Sequence, residues 1–365
     1  MTPEELRASI PALDDGAYFN AGASGPSPRS VLDATCAAVR GHETDAPTGD
    51  GCYPVAFEAF EDCRERFAEF LGASTDELAL THSTADGIAR IAASIDWEPG
   101  DVVVRTDLEH SAGILPWWNL REQGVEVRVL ETEAGRVDRQ AYERAVSDAR
   151  LVCFNSITWT HGTKWPVADL VETAHDHGAE VLVDAVQSVG QTDLDCTAWN
   201  AEYVVGACHK WLLGPWGAGF LVVREDVTTD PVQVGYRSVV DPSSPDPELK
   251  RGAARFEVGT TNVGPYAGAV AAMDLHDELG TDRIERRIHD LAARLADGLG
   301  ERVLGPADPE TGLVAFSPDD EDSEALVERL AAEDLYIRAL PSGAVRASVH
   351  AYNTREEVDA LLAAL

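Results

Sequence analysis

Two side chains that end neighbouring predicted strands could do chemistry together. Asp184 closes the apolar run Val181–Asp184, and Lys210 follows the next run, Tyr203–Gly206. A lysine can form an imine with an aldehyde, and a carboxylate can keep a ring nitrogen protonated so that the ring withdraws electrons. Taken alone, a strand-ending aspartate is often a helix cap and a lone lysine a solvated charge. Taken together, they indicate a ligand site at one edge of a sheet.

Lysine is scarce in this chain, and the surroundings of Lys210 are unusual for a solubilising residue. Only three of the 29 basic residues are lysines, the others being Lys164 and Lys250. Lys210 stands between a buried strand and the glycine-rich turn 213–219, which leads directly into another apolar strand. Burial at this point would lower the pKa of the amine, as an imine-forming lysine requires.

The elements that must position these residues follow an α/β pattern. Short β-branched runs alternate with helical periods from about residue 77 to 221, which predicts a mostly parallel sheet covered by helices. The predicted strands are Glu77–Thr81, Asp101–Thr106, Val125–Leu130, Leu151–Phe154, Val181–Asp184, Tyr203–Gly206 and Gly219–Val223. We therefore expect a large sheet domain over residues 16–264.

A smaller α+β domain is expected over residues 265–365, joined by residues 1–15. Pro265 to Leu299 has strongly helical spacing, and short strands are predicted after it near Leu313–Phe316, Tyr336–Arg338 and Val345–Val349, with helices between and after them. Within the large domain, the Pro-, Ser- and Asp-rich segment 230–255 is predicted to be an irregular excursion rather than a core element.

Composition narrows the function. The formal charge of -35 repels nucleic acid and anionic lipid, so we expect neither as a partner. Carboxylates spread along the chain, with few lysines, resemble the surfaces of proteins from salt-loving organisms, with an ordinary acidic cytosolic enzyme as the alternative. The six cysteines show no disulfide or zinc spacing, so no metal is expected. No signal-like or membrane-spanning run is present, which predicts a cytoplasmic protein.

Further motifs, in order along the chain, make the sequence resemble one family. They are Tyr18-Phe19-Asn20-Ala21-Gly22, Ser83-Thr84, Glu109-His110, Pro116-Trp117, Asp184 with Gln187, His209-Lys210, Phe256-Glu257-Val258-Gly259-Thr260, Arg346-Ala347-Ser348 and Tyr352-Asn353-Thr354. The chain is similar to the class V aminotransferases, pyridoxal-5'-phosphate (PLP) enzymes of fold-type I. That family includes cysteine desulfurases, selenocysteine lyases and isopenicillin N epimerase-like proteins.

The resemblance implies roles around the cofactor ring. Lys210 is expected to hold PLP as a Schiff base, Asp184 to pair with the ring nitrogen, and His110 to stack on the ring face, which makes these three the catalytic residues. Gln187 is expected to contact the ring hydroxyl. For His110, a core histidine is the alternative.

The resemblance also implies a phosphate site and a substrate site. Ser83 and Thr84 begin a predicted helix, whose free N–H groups suit a phosphate, although either residue could simply cap the helix. His209 is expected to reach the same phosphate, and Thr260 to reach it from a second subunit, which implies a homodimer.

Arg346 matches the family's arginine for the substrate carboxylate, and Asn20 is expected beside the substrate. A bidentate guanidinium is the natural partner of an amino acid's carboxylate, with a structural salt bridge as the alternative.

The sequence departs from the desulfurase members of the family at three places. Ala207 stands where desulfurases have serine, Thr158–Gly162 reads like the epimerase-like members, and the interval Arg338–Val345 contains no cysteine. Three functions are possible for the chain. The first is the transformation of an amino acid by transamination, racemisation or elimination, which share their first steps.

The alternatives are a cysteine desulfurase or selenocysteine lyase, and a non-catalytic PLP-binding protein. Without a loop cysteine, we expect no efficient desulfuration through a persulfide on this chain.

Overall fold

The computed structural model describes residues 1–365, and its strands form three sheets. In chain order, the strands are β1 (Ala17–Tyr18), β2 (Leu78–Thr81), β3 (Val102–Thr106), β4 (Glu126–Leu130), β5 (Leu151–Asn155), β6 (Glu180–Asp184), β7 (Tyr203–Ala207), β8 (Gly219–Val223), β9 (Leu313–Phe316), β10 (Leu335–Tyr336), β11 (Arg338–Ala339) and β12 (Val345–Ser348). All seven predicted strands of the large sheet are present, each within a residue of its predicted ends.

The large sheet has the order β2-β8-β7-β6-β5-β3-β4, and β8 runs antiparallel to both of its neighbours. The other neighbouring pairs are parallel. Central strands such as β5 and β7 are buried along their whole length, which explains their continuous apolar sequences. The predicted α/β architecture with a mostly parallel sheet is therefore confirmed.

Helices cover both faces of this sheet and build the rest of the chain. They are α1 (Pro3–Ser9), α2 (Arg29–Arg40), α3 (Cys52–Leu71), α4 (Thr84–Ser94), α5 (Leu115–Leu120), α6 (Arg139–Val146), α7 (Val167–Asp176), α8 (Val263–Leu279), α9 (Thr281–Leu299), α10 (Ser323–Ala331) and α11 (Arg355–Ala364). In α9 the apolar residues Ile284, Ile288, Leu291 and Leu295 recur every three or four positions and are all buried.

The C-terminal part carries a small sheet with the order β11-β12-β9, which packs on α9 and α11. The N-terminal strand β1 pairs in parallel with β10, so the start of the chain joins this part of the molecule. Helix α8 packs against α2 and α3 beside the large sheet. The division of the chain at residue 265 stays a proposal.

The sequence-based prediction omitted α2 and α3, which lie before the first strand of the large sheet. It also treated the stretch Tyr336–Arg338 as one strand, whereas the structure divides it between β10 and β11. Residues 230–252 form neither helix nor regular strand, as expected. None of the helices combines the length and the apolar content needed to cross a bilayer.

Candidate active site

The carboxyl ends of the parallel strands border a cavity of about 320 Å³. Eight of the ten residues that the sequence suggested for the site line it: Ser83, Thr84, His110, Asp184, Gln187, His209, Lys210 and Arg346. Asn20 and Thr260 lie outside the lining. The fold thus brings together side chains that are up to 263 residues apart (Ser83 to Arg346) in the sequence.

Asp184 and Lys210 are positioned by neighbouring strands. Asp184 is the last residue of β6 and pairs in register with Val205 of β7, and Lys210 lies three residues beyond the end of β7. The N-terminal part of the chain holds the Lys210 segment in place, because the Gly25 N–H donates to the His209 carbonyl at 2.8 Å. The predicted approach of a carboxylate and an amine at one sheet edge is present.

Burial shifts the pKa of both groups towards the neutral form. It raises the pKa of Asp184 to about 6, against the opposing effects of the Val186 N–H and the Lys210 charge. It lowers the pKa of Lys210 to about 8, with Asp184 opposing and the guanidinium groups of Arg346 and Arg338 adding to the decrease. Lys210 therefore releases its proton far more readily than a solvated lysine.

The N-terminus of α4 faces the same cavity. Ser83 caps this 11-residue helix, since its side chain accepts the Asp86 N–H at 3.1 Å. Thr84 is 6% exposed, and its hydroxyl oxygen is buried without a hydrogen-bond partner. A buried hydroxyl beside free helix N–H groups is a site for an anion, because a bound phosphate would satisfy both.

His209 and Gln187 form further parts of the wall. The His209 ring lies 5.0 Å from the Trp216 ring, and burial, with the Lys210 charge, lowers its pKa to about 4, so it is neutral at pH 7. The Gln187 amide is held at both ends, because its oxygen accepts the Trp211 indole N–H at 2.7 Å and its nitrogen donates to the Gly22 carbonyl at 3.0 Å. The second N–H of Gln187 is free for a ligand.

His110 projects from the segment that follows β3. Its ring meets the Trp159 ring edge to face at 5.7 Å. Burial, together with the charges of Lys210, Arg338 and Arg346, lowers the pKa of His110, so a neutral imidazole faces the cavity. His110 lines the cavity and keeps part of its surface open to solvent, so the alternative of a core histidine does not describe its position.

Arg346 is fully buried, and no carboxylate balances its charge. Its guanidinium donates to the Trp159 carbonyl at 2.7 Å and to the Asn20 side-chain oxygen at 3.4 Å, and Nε has no partner. Burial and the Arg338 charge lower its pKa. A structural salt bridge is therefore excluded. Asn20 contacts the Arg346 guanidinium and lies outside the cavity lining.

Three large side chains that line the site, Trp159, Trp216 and Arg338, were missed by the sequence-based prediction. Arg338 lies opposite Arg346 across the β11–β12 pair and lines the cavity, with its guanidinium carbon 5.9 Å from the centre of the Trp159 ring. Trp159 contacts both arginines and His110. A hairpin register, which places residues 338 and 346 opposite each other, is the signal that could have identified Arg338.

Glu109 lies directly behind the site. It is 4% exposed and accepts the Thr106 hydroxyl at 2.6 Å and the Asn155 N–H at 3.3 Å. Burial raises its pKa to about 8, and the nearby Asp184 adds to the increase. Glu109 is therefore mainly neutral at pH 7 and ties the His110 segment to β5.

Thr260 is exposed and borders a different cavity, which also includes His82 and Tyr236. Within one chain it does not reach the cavity of Lys210. The expectation that it acts on a second subunit stays a prediction.

The residues around Lys210 fit PLP. The unpaired Thr84 hydroxyl and the α4 N-terminus suit the phosphate, Asp184 suits a ring nitrogen, and Lys210 has an amine of lowered pKa for the aldehyde. Fold and cavity together define a PLP-dependent enzyme architecture in which ligands bind at the carboxyl ends of the strands.

Residues 17–361 match the family model described as aminotransferase class-V, and the chain belongs to this family. The resemblance drawn from the motifs is thereby confirmed, as is the fold-type I architecture. Proteins of this family carry PLP, and PLP is therefore the cofactor of this chain.

Relatives are similar over nearly their full length. A protein of Methanothermobacter thermautotrophicus named probable cysteine desulfurase is 34% identical and matches 99% of this chain and 96% of its own. The apo structure of a cysteine desulfurase from Thermococcus onnurineus NA1 has a TM-score of 0.91 at 29% identity, with 100% and 97% of the two chains covered. The cystine C–S lyase C-DES, in complex with its product cysteine persulfide, has a TM-score of 0.90 at 26% identity, with 97% and 98% covered.

Proposed function

We propose that this protein is a PLP-dependent C–S lyase, which cleaves the bond between Cβ and sulfur of a cysteine-derived amino acid. The observation that carries the proposal is one cavity that joins Lys210, Asp184 and the unpaired, buried Arg346. An uncompensated buried guanidinium is a strong binding site for a carboxylate. The similar proteins named as desulfurases and as a C–S lyase favour sulfur chemistry over transamination or racemisation.

The chemistry that PLP supplies when bound is electron withdrawal from Cα, which acidifies the Cα proton and weakens the bond from Cβ to sulfur. Arg346 would hold the α-carboxylate, and Asn20 would keep the guanidinium pointed at it. Asp184 would keep a proton on the ring nitrogen, because a buried carboxylate beside it stabilises the cationic ring. These groups fix which atom of the substrate faces Lys210.

Lys210 would take the Cα proton. Its pKa of about 8 lets the amine exist unprotonated near neutral pH and still hold a proton once it has accepted one. His110 and Trp159 would cover the reacting atoms and exclude water. Arg338, which lies beside Arg346, would add positive charge where a carboxylate or a departing thiolate carries negative charge.

The sulfur would leave into solution rather than onto the protein. In the β11–β12 hairpin, the residues from Leu340 to Ala344 form the turn, and none is a cysteine. Cys208 is buried, its thiol donates to the Pro215 and Ala218 carbonyls at 3.3 Å, and burial raises its pKa to about 12. It is therefore a poor nucleophile.

The test is to incubate the PLP-loaded protein with cysteine and with cystine and to identify the products. A lyase gives pyruvate, ammonia and a free sulfur species, whereas desulfuration gives alanine and a protein-bound persulfide. We expect pyruvate and no persulfide on any of the six cysteines by mass spectrometry. Rapid alanine formation with a persulfide on this chain would overturn the proposal, and a keto acid formed only with an amino acceptor would favour transamination.

A further inference from the structure

A second cavity lies beside the candidate active site, between loops of the large sheet and the small sheet. Its volume is about 500 Å³. Leu108 and His161 line it from the large sheet, and Leu304, Leu340 and Ala344 line it from the C-terminal part of the chain. The cavity is large enough for a substituent the size of an aromatic ring.

The β11–β12 hairpin forms a wall that both cavities share. Arg338 and Arg346 are paired across the hairpin, and the next pair on the same face is Leu340 and Ala344, where the Leu340 N–H donates to the Ala344 carbonyl at 2.8 Å. Because side chains alternate along a strand, these four residues point to the same face. The arginines line the active-site cavity, and Leu340 and Ala344 line the second one.

Trp159 lies between the two cavities, because it lines the first and packs against residues that line the second. Its side chain packs against Ala315, Leu340 and Ala344, and it also lines the active-site cavity beside His110. The indole N–H is buried and has no hydrogen-bond partner, so no hydrogen bond holds the ring in this orientation. A rotation of Trp159 about its side-chain bonds would connect the two spaces.

The second cavity is uncharged. No Asp, Glu, Lys or Arg lines it, although these residues make up 25% of the chain. Burial lowers the pKa of His161, so its imidazole is neutral at pH 7. Its polar atoms are otherwise hydroxyl and backbone groups. Such a lining offers an apolar group contacts with Leu108, Leu304 and Leu340 and offers a charged group no ion pair.

We infer that this second cavity receives the substituent on the substrate's sulfur, and that the preferred substrates are cysteine S-conjugates with an uncharged, apolar substituent. This inference rests on the proposed lyase function. The S-conjugate and water would give a free thiol, pyruvate and ammonia. The Cα proton moves to Lys210, the C–S bond breaks with its electron pair on sulfur, and the sulfur takes up a proton; no oxidant or reductant is required.

The first test compares substrates on the PLP-loaded protein. S-benzylcysteine carries an apolar substituent, S-carboxymethylcysteine a charged one, and cysteine none. We expect kcat/KM for S-benzylcysteine to exceed that for S-carboxymethylcysteine by about tenfold or more, the range that apolar pocket contacts provide. Pyruvate and free thiol are measured separately, so that both halves of the product are accounted for.

The second test narrows the cavity. Ala344→Leu places three more carbon atoms in it, whereas Ala332→Leu makes the same change at an exposed position after α10. We expect A344L to lower kcat/KM for S-benzylcysteine about tenfold more than kcat/KM for cysteine, and A332L to leave the ratio unchanged. Thermal unfolding of both variants shows whether each is folded.

A third measurement does not depend on turnover. In Lys210→Ala protein, calorimetry should show tighter binding of S-benzylcysteine than of S-carboxymethylcysteine, and A344L should abolish the difference. Equal kcat/KM values and equal affinities for the two S-conjugates, with pyruvate still formed from cysteine, would overturn this inference alone. If no compound gives pyruvate, the proposed function fails and this inference fails with it.

Discussion

Lys210 has its amine in a largely buried position, with one carboxylate and two guanidinium groups close to it. Burial and the charges of Arg346 and Arg338 favour the neutral amine, and Asp184 favours the ammonium form. The balance lowers the pKa to about 8. The unprotonated amine is thus available to react with an aldehyde near neutral pH.

The first prediction concerns cofactor loading. The rate at which cofactor-free protein takes up PLP should rise with pH, and the midpoint of this rise should lie near pH 8, because only the unprotonated Lys210 reacts. Asp184→Asn should move the midpoint to lower pH, since Asp184 raises the pKa of Lys210. Stopped-flow absorbance measures both. Borohydride reduction and peptide mapping must place the cofactor on Lys210, and a label on Lys164 or Lys250 would contradict the assignment.

Arg346 and Arg64 make a matched pair of buried arginines. Arg64 bonds Glu257 at 2.7 Å, whereas Arg346 has no carboxylate partner. Arg346→Leu should lower kcat/KM by about 100-fold without a loss of stability, because it removes a buried charge that nothing balances.

Arg64→Leu supplies the control for this second prediction. It should cost about 1.5–3 kcal/mol of stability, the range for a hydrogen bond to a charged group, because the buried Glu257 loses Arg64 and keeps Arg237 as its partner. Denaturant unfolding and steady-state kinetics compare the two variants. A large loss of stability in Arg346→Leu would show that this arginine is structural.

At the scale of elements, the N-terminus of α4 is the part of the fold that suits a phosphate. The helix is capped by Ser83, and the adjacent Thr84 hydroxyl is buried without a partner. An unpaired buried hydroxyl costs about 1–3 kcal/mol, so the protein without cofactor bears a cost that a bound phosphate removes.

The third prediction follows from this cost. Thr84→Val keeps the shape of the side chain and removes the hydroxyl, so it should weaken PLP binding by about tenfold, the equivalent of one hydrogen bond to a charged group. The same variant should leave the cofactor-free protein as stable as before, or more stable. Fluorescence titration and thermal unfolding give the two values. Unchanged PLP affinity would place the phosphate elsewhere.

At the scale of the whole molecule, net charge dominates. The formal charge is -35, and at low ionic strength carboxylates repel one another over about 30 Å, compared with about 3 Å in 1 M salt. The fourth prediction is that the thermal unfolding midpoint rises steadily from 10 mM to 1 M potassium chloride. An unfolding midpoint that does not change with salt would contradict the resemblance to proteins of salt-loving organisms. It would not bear on the cofactor site.

The fifth prediction concerns assembly. Tyr53, Phe57 and Tyr236 form an exposed cluster of aromatic rings, and the Tyr236 ring borders Gly259 next to Thr260. Exposed aromatic clusters are typical of subunit interfaces. We expect a homodimer in sedimentation experiments, with Thr260→Ala weakening PLP binding but not the dimer. A fully active monomer would contradict this expectation.

The sequence by itself determined the strands of the large sheet and most of the residues around Lys210. Each strand is a short apolar run with its own local pattern, and strand ends at one edge of a parallel sheet must converge. The helices α2 and α3 went unpredicted because no motif marks them, and their place against α8 comes from contacts with residues more than 190 positions later.

Only the tertiary structure decided what surrounds Arg346. Arg346 has no carboxylate partner. It pairs with Arg338, which is 8 positions away, and it contacts the Trp159 carbonyl, which is 187 positions away. The second cavity likewise exists only where the small sheet meets loops of the large one. Local residue patterns are set by neighbours along the chain, whereas charge balance and cavities depend on which distant segments the folded chain brings into contact.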